Sequence, residues 1–185
     1  NIVIMSLIVL GGLGFMVLVD FKKCFWGIVR HNYGFRYFHI HTKIMIVATA
    51  ILIIIGAVGF FIFEKNNPDF SAHPIISSFF QSITARTAGF NTVNIGALSS
   101  PSYLLLMALM FIGGGAGSTA GGVKVTTVAI LFILVISFIR RRKEVSIFGR
   151  TLTLGNIFSA VAGFFFAISV LFPFLILLLY TENGS

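Results

Sequence analysis

The 185-residue chain is 57% hydrophobic and only 10% charged, with a mean hydropathy of +1.03. Soluble domains carry roughly 25% charged residues, so this composition excludes a water-covered globular surface and makes an integral membrane protein the default. The net charge of +8 does not imply nucleic acid. Ten of the 13 lysines and arginines fall in two stretches, Lys22, Lys23, Arg30, Arg36 and Lys43 in one and Arg140, Arg141, Arg142, Lys143 and Arg150 in the other. Such clusters mark cytoplasmic loops and suit contact with anionic lipid.

The first apolar block is 2–19. It is too long and too glycine-rich at its end for a signal-peptide core, and no small-residue cleavage site follows. It is expected to cross the membrane once, followed by a cytoplasmic loop over 20–43. The chain opens in this apolar run at Asn1 and stops just past another at Ser185, so it reads as a piece of a longer protein. Cys24, the one cysteine, excludes an intrachain disulfide and reads as a small interfacial residue. His39-Ile40-His41 has no carboxylate or cysteine near it in sequence, so it reads as a surface pair rather than a metal site. The second block, 44–63, fits one crossing at ~20 residues per span.

Between blocks two and three, residues 64–102 have nearly balanced charge and must lie outside if the basic loops lie inside. Pro74 suits a first helical turn, and Ile75, Ile76, Phe79, Phe80 and Ile83 follow at helical spacing. A helix over 75–84 would be about 15 Å long, half a bilayer. The polar stretch QSITARTAGFNT at 81–92 then interrupts an apolar chain. A half-length helix followed by a strand climbing back to Ser99-Ser100-Pro101 is a re-entrant pore loop. The negative end of the helix dipole would point into the membrane and favour a cation. Thr87, Ala88, Gly89 and Phe90 can then aim backbone carbonyls at the ion, with Gly89 permitting positive φ. Arg86 is expected to point away from the ion and tie the loop to nearby carbonyls.

The third block, 103–139, is too long for one simple crossing, and its centre is GGGAGSTAGG at 113–122. Six glycines in ten residues weaken a helix by ~1 kcal/mol each relative to alanine. Two half-helices, 103–112 and 123–139, are therefore expected around a non-helical segment, which is tolerated at membrane depth only where buried in protein or facing a wet cavity. Ser118, Thr119, Thr126 and Thr127 are candidates to hydrogen-bond its freed backbone. Lys124 reads either as a functional intramembrane charge or as a side chain snorkelling to the cytoplasmic interface. The fourth block, 157–180, fits one crossing, with a kink expected at Pro173.

The glycine-rich segment fails as a P-loop, because Val123 separates Gly122 from Lys124. Gly115–Ala120 matches a dinucleotide fingerprint only superficially, since Arg140-Arg141-Arg142 stands where an acidic residue is needed. Gly113-x-x-x-Gly117 and Gly117-x-x-x-Gly121 also fit helix packing. Asp20, Glu64, Asp69, Glu144 and Glu182 are scattered at span ends, so no catalytic constellation appears and no enzyme is expected.

The unit of M1 (44–63), pore helix (75–84), filter loop TARTAGFNT (84–92) and M2 broken at GGGAGSTAGGVKVTT (113–127) resembles the third of four M1–P–M2 repeats of the Trk/Ktr/HKT superfamily of potassium transporters, of the bacterial KtrB- and TrkH-like kind. The resemblance covers the whole chain. GGLGF at 11–15 and the following Asp20 resemble the end of the second repeat, so residues 1–43 belong to the preceding repeat, 44–150 are a complete one, and 151–185 open the next. The implied fold is an all-α integral membrane protein of the potassium-channel-like M1–P–M2 type, flanked by two further transmembrane helices. The implied ion is potassium, bound at Thr87, Ala88 and Gly89, with sodium as a further candidate and no cofactor. Phe90 completes the filter, with Thr84, Arg86, Asn91 and Thr92 in support. Gly113, Gly114, Gly115, Ala116, Gly117, Ser118, Thr119, Ala120, Gly121 and Gly122, with Lys124, form an intramembrane gating loop. Implied partners are the subunit's remaining repeats, a second copy in a homodimer, a cytoplasmic nucleotide-binding regulatory subunit and membrane lipid. The implied location is the bacterial inner membrane. Two rival readings are a broken-helix secondary transporter for another solute and a homotetrameric cation channel.

Overall fold

The structure is a computed structural model that describes residues 2–28, 38–71, 73–86, 88–141, 145–147 and 150–182. Its contacts divide the chain into two compact units, Asn1–Thr126 and Thr127–Ser185.

The first unit opens with α1 (Ile2–Leu13) and α2 (Phe15–Ile28). Block one is therefore not one straight crossing. It bends by 102° at Gly14, whose φ of +86° no helix can accommodate. Nor does the expected loop begin at residue 20. α2 carries Lys22 and Lys23, and α3 (Ile40–Phe63) starts early enough to carry Lys43. Charge ends an apolar run but not a helix, because lysine is a good helix former. Arg30 and Arg36 lie outside the described residues.

α3 has 24 residues, about 36 Å at 1.5 Å per residue, enough to span. A one-turn helix α4 (Pro68–Ser71) follows, then α5 (Pro74–Thr84), within a residue of the expected pore helix and with Pro74 in its first turn. The chain returns through residues 88–94 and a 3₁₀ turn at Ile95–Ala97 into α6 (Ser100–Phe111). α6 and α7 (Val125–Ile139) are the two expected half-helices, and residues 113–122 between them are non-helical.

Two apolar clusters hold this unit. One gathers Phe60, Phe70, Ala85, Val93, Leu98, Leu106 and Leu109 around the returning chain. The other gathers Leu13, Val17, Met45 and Val125 around the two helix breaks. α5 lies closely against α3. The Ser82 hydroxyl donates to the Ile53 carbonyl at 2.9 Å, and a Cβ at Gly56 would collide with the Ser82 Oγ and come within 2.8 Å of Leu109 Cδ1.

The second unit holds the remainder of α7, a hairpin of β1 (Ser146–Ile147) and β2 (Arg150–Thr151), and α8 (Leu154–Glu182). The two-residue strands carry too little pattern to be seen in sequence. Arg142, Lys143 and Glu144 lie outside the described residues. α8 runs continuously through Pro173, and this chain buries none of its most apolar 18-residue window. With α3 it is long and apolar enough to cross a membrane, and the bent α1–α2 pair makes a third candidate span.

Candidate ion-conduction site

The site is built where α5 ends. Its last turn is fully covered by the chain: Gln81, Ser82, Ile83 and Thr84 are all buried, as are Ala85 and Arg86. Backbone bonds from Ala85 to Gln81 (3.0 Å) and from Ala88 to Thr84 (3.1 Å) carry the winding past the last helical residue. The chain reverses at Gly89, with φ at +71° and open space where a Cβ would stand. Gly89, Phe90, Asn91 and Thr92 are exposed and Ala88 is half-buried. The returning strand is re-anchored by buried Val93 and by the Asn94 amide, which donates to the Asp69 carboxylate at 3.0 Å. Thr87 lies outside the described residues.

Two cavities meet at Ala88. One, of about 240 Å³, is lined by Gln81, Thr84, Ala85, Ala88, Gly89 and Asn91, with Leu106 and Met110 as its apolar wall. The other, of about 270 Å³, is lined by Arg86 and Ala88, by Thr119 and Ala120 of the glycine-rich segment, and by Leu7, Ile8, Gly11 and Gly12 of α1. Arg86 thus borders the second cavity and not the one beside Gly89.

The glycine-rich segment is a loop closed at its neck. Ile112 and Val123 pair as a parallel bridge, with Gly113 N donating to Val123 O at 2.9 Å and Val123 N to Phe111 O at 3.0 Å. Gly113 is obligatory there, because a Cβ would overlap the Gly121 carbonyl. Inside the loop, the Ser118 hydroxyl donates to the Gly115 carbonyl at 2.8 Å, one of the backbone bonds expected of it. The Lys124 ammonium reaches back to the Ala120 carbonyl at 2.9 Å, so this half-buried charge is tied to the loop.

The loop also interlocks with the break between α1 and α2. Gly115 N donates to Gly12 O at 2.8 Å and Phe15 N to Gly117 O at 3.2 Å. A Cβ at Gly14 would lie 2.6 Å from Ala116 O, and one at Gly115 would lie 2.6 Å from Leu13 O. Two broken helices, about 100 residues apart in sequence, share a backbone seam that only glycines allow.

The family model for TrkH, described as a cation transport protein, matches residues 68–183. The chain belongs to the TrkH family of cation transport proteins. Over 97% of this TrkH-family chain, it is 38% identical to the Ktr system potassium uptake protein B of Vibrio alginolyticus, covering 39% of that protein. It is 36% identical to the Bacillus subtilis protein of the same name, over the whole chain and 41% of the relative. The crystal structure of the potassium transporter TrkH from Vibrio parahaemolyticus overlays with a TM-score of 0.66 at 22% identity, over 94% of this chain and 37% of that one, which shows a shared fold. The chain spans about two-fifths of the length of these relatives.

Three polar features of this TrkH-family chain escaped the sequence reading. Glu64, just past α3, is 3% exposed and accepts from the Ser99 amide at 2.9 Å, the Ser99 hydroxyl at 2.7 Å and Asn67 Nδ2 at 2.7 Å. Burial pushes its carboxyl up, but hydrogen bonds from Ser102, Asn67 and Ser99 outweigh it and hold the group below the ordinary glutamate value. Glu64 so ties the C-terminal end of α3 to the start of α6, and with Asp69 it lines a cavity of about 460 Å³. Asp20 accepts from the Thr42 hydroxyl and lies 3.1 Å from His39 Nδ1. The expectation that His39 has no carboxylate near it is therefore corrected. The separation of 19 positions hid the pair, since only packing of α2 on α3 creates it. The third is Gln81.

Proposed function

We propose that this chain is the filter-bearing and gating part of a potassium transporter of the bacterial inner membrane. In that reading Thr87, Ala88, Gly89 and Phe90 supply one quarter of the selectivity filter, and 113–122 with Lys124 gate the path beneath it. The carrying observation is the half-length α5 with a buried C-terminal turn, followed at once by an exposed strand that reverses at Gly89. The negative end of the α5 dipole favours a cation there, and exposed backbone can replace its hydration shell. Arg86 borders the cavity on the loop side and does not line the one beside Gly89, which supports a cation there. Thr119 and Ala120 border that cavity too, which supports a gating role for the loop. Relatives named as potassium uptake proteins align over nearly all of the chain, which supports potassium as the ion. The filter would be completed by three further repeats of the same subunit. A second copy and a nucleotide-binding regulatory subunit are the proposed partners.

The test is Gly89→Ser in the full-length protein, read by rubidium uptake under sodium competition. Forcing a side chain into the left-handed region costs ~1–2 kcal/mol and distorts the strand, so sodium should compete about tenfold better. Sodium competition identical to the parent protein would overturn the filter assignment.

A further inference from the structure

Two serines of α5 are buried alike and use their hydroxyls differently. Ser78 donates to the Pro74 carbonyl one turn back at 2.7 Å, the usual bond of a serine inside a helix. Ser82, fully buried, leaves its own helix and donates to the Ile53 carbonyl of α3 at 2.9 Å. Ile53 lies inside α3, where its carbonyl also accepts the helix's own bond, so Ser82 takes the second lone pair. The bond is therefore an added tie between two helices, not the repair of a broken one.

The tie is set at one level of α3 and fitted to it. Ile53 precedes the end of α3 at Phe63 by ten residues, about 15 Å of rise, half of a ~30 Å hydrocarbon core. One turn on, Gly56 leaves the notch that Ser82 fills. A Cβ there would collide with the Ser82 Oγ and would stand 3.1 Å from the Ser82 Cβ and 2.8 Å from Leu109 Cδ1 of α6. Apolar packing alone tolerates sliding of one helix along another, whereas a directional bond seated in a notch fixes both the approach and the level.

Whatever fixes the last turn of α5 fixes the leading end of the strand that follows. Ala85 N donates to Gln81 O at 3.0 Å, Arg86 N to Ile83 O at 3.3 Å and Ala88 N to Thr84 O at 3.1 Å, so the chain leaves that turn on three backbone bonds. Residues 89–92 are then exposed, and among the described residues nothing stands within 4 Å of a Cβ direction at Gly89. Discrimination by backbone carbonyls depends on where those carbonyls stand around the ion.

We infer that the Ser82–Ile53 bond, seated at Gly56, sets the level of the Ala88–Asn91 strand and thereby its discrimination between potassium and sodium. Ser82 and Gly56 are positioning residues, acting through the backbone that meets the ion. The inference rests on the filter reading of Gly89.

The experiment uses the full-length protein with Ser82→Ala, Ser78→Ala, Gly56→Ala, the Gly56→Ala/Ser82→Ala double variant and Gly89→Ser, each assayed for rubidium uptake against graded sodium. Ser82→Ala should improve sodium's competition about threefold, the scale of one interhelical hydrogen bond in a membrane. Gly56→Ala, which drives Ser82 from the notch, should improve it about tenfold, the scale of an overpacked buried contact. The double variant should return to the Ser82→Ala level, because the colliding hydroxyl is gone. Ser78→Ala, which loses a hydroxyl bond within α5 only, should keep the parent ratio. A double variant equal to the product of the singles, or a Ser78→Ala shift as large as that of Ser82→Ala, overturns the inference. So does a uniform loss of uptake at unchanged ratio, which marks a merely structural role. If Gly89→Ser shifts the ratio and Ser82→Ala does not, the inference is overturned and the filter reading stands. An unchanged ratio in Gly89→Ser removes both. Should Gly56→Ala fail to accumulate, Ser82→Ala against Ser78→Ala decides alone.

Discussion

Gly14→Ala tests whether the break between α1 and α2 and the glycine-rich loop are one structural unit. Alanine at φ +86° loses ~1 kcal/mol to the left-handed conformation. Its Cβ would lie 2.6 Å from Ala116 O and 3.3 Å from Ser118 N, so the loop must move away. Moving it breaks the Phe15–Gly117 and Gly115–Gly12 hydrogen bonds, at ~1 kcal/mol each. The expected loss is thus ~3 kcal/mol. Gly11→Ala and Gly12→Ala are internal controls only two or three residues away. A Cβ at either meets nothing within 4 Å, and alanine should gain up to ~1 kcal/mol as the better helix former. The assay is thermal inactivation of the full-length protein in detergent, with rubidium uptake at a permissive temperature. Gly14→Ala should inactivate well below the parent and the controls at or above it. A Gly14→Ala protein as stable as Gly12→Ala would refute the seam.

Two further substitutions probe other polar contacts of the chain. Glu64→Gln should cost ~2 kcal/mol at neutral pH, since it replaces charge-assisted bonds from Ser99 and Asn67 to a buried carboxylate. The Glu64 carboxyl is depressed in the folded state, so its contribution is complete above the ordinary glutamate value of about 4.3 and is lost as pH falls below it. Parent stability should therefore fall more steeply than that of Glu64→Gln on acidification below that value, and parallel acid profiles would exclude the role. Lys124→Met removes the ammonium bond to the Ala120 carbonyl, ~1.5 kcal/mol for a charged donor. If that bond holds a gate shut, the initial rate of rubidium uptake should rise by up to about tenfold, and an unchanged rate at equal expression would separate Lys124 from gating.

How much of this was legible beforehand differs residue by residue. The half-length of α5 followed from Pro74 and five apolar positions at helical spacing, and the helix lies within a residue of that reading. The break over 113–122 followed from glycine density alone. Gly11, Gly12 and Gly14 carry no such signal, because three glycines in a strongly apolar run leave helix the better local choice. The break there needs Gly14, and it is stabilised by a loop about 100 residues downstream. Gln81 looked like one more polar residue of the stretch 81–92. Its burial depends on α3 and α1 packing against α5.

The sequence by itself determined that the chain lives in a membrane, that α5 is half-length and that 113–122 leaves the helix, but not the break at Gly14. Those properties follow from apolar run length, charge position and glycine or proline content, all local along the chain. Only the tertiary structure decided which breaks touch, which cavity Arg86 borders, that Glu64 caps a distant helix, and that Gln81 and Thr84 are buried. These depend on how helices far apart in sequence pack, and no local pattern encodes a hydrogen bond between Gly12 and Gly115.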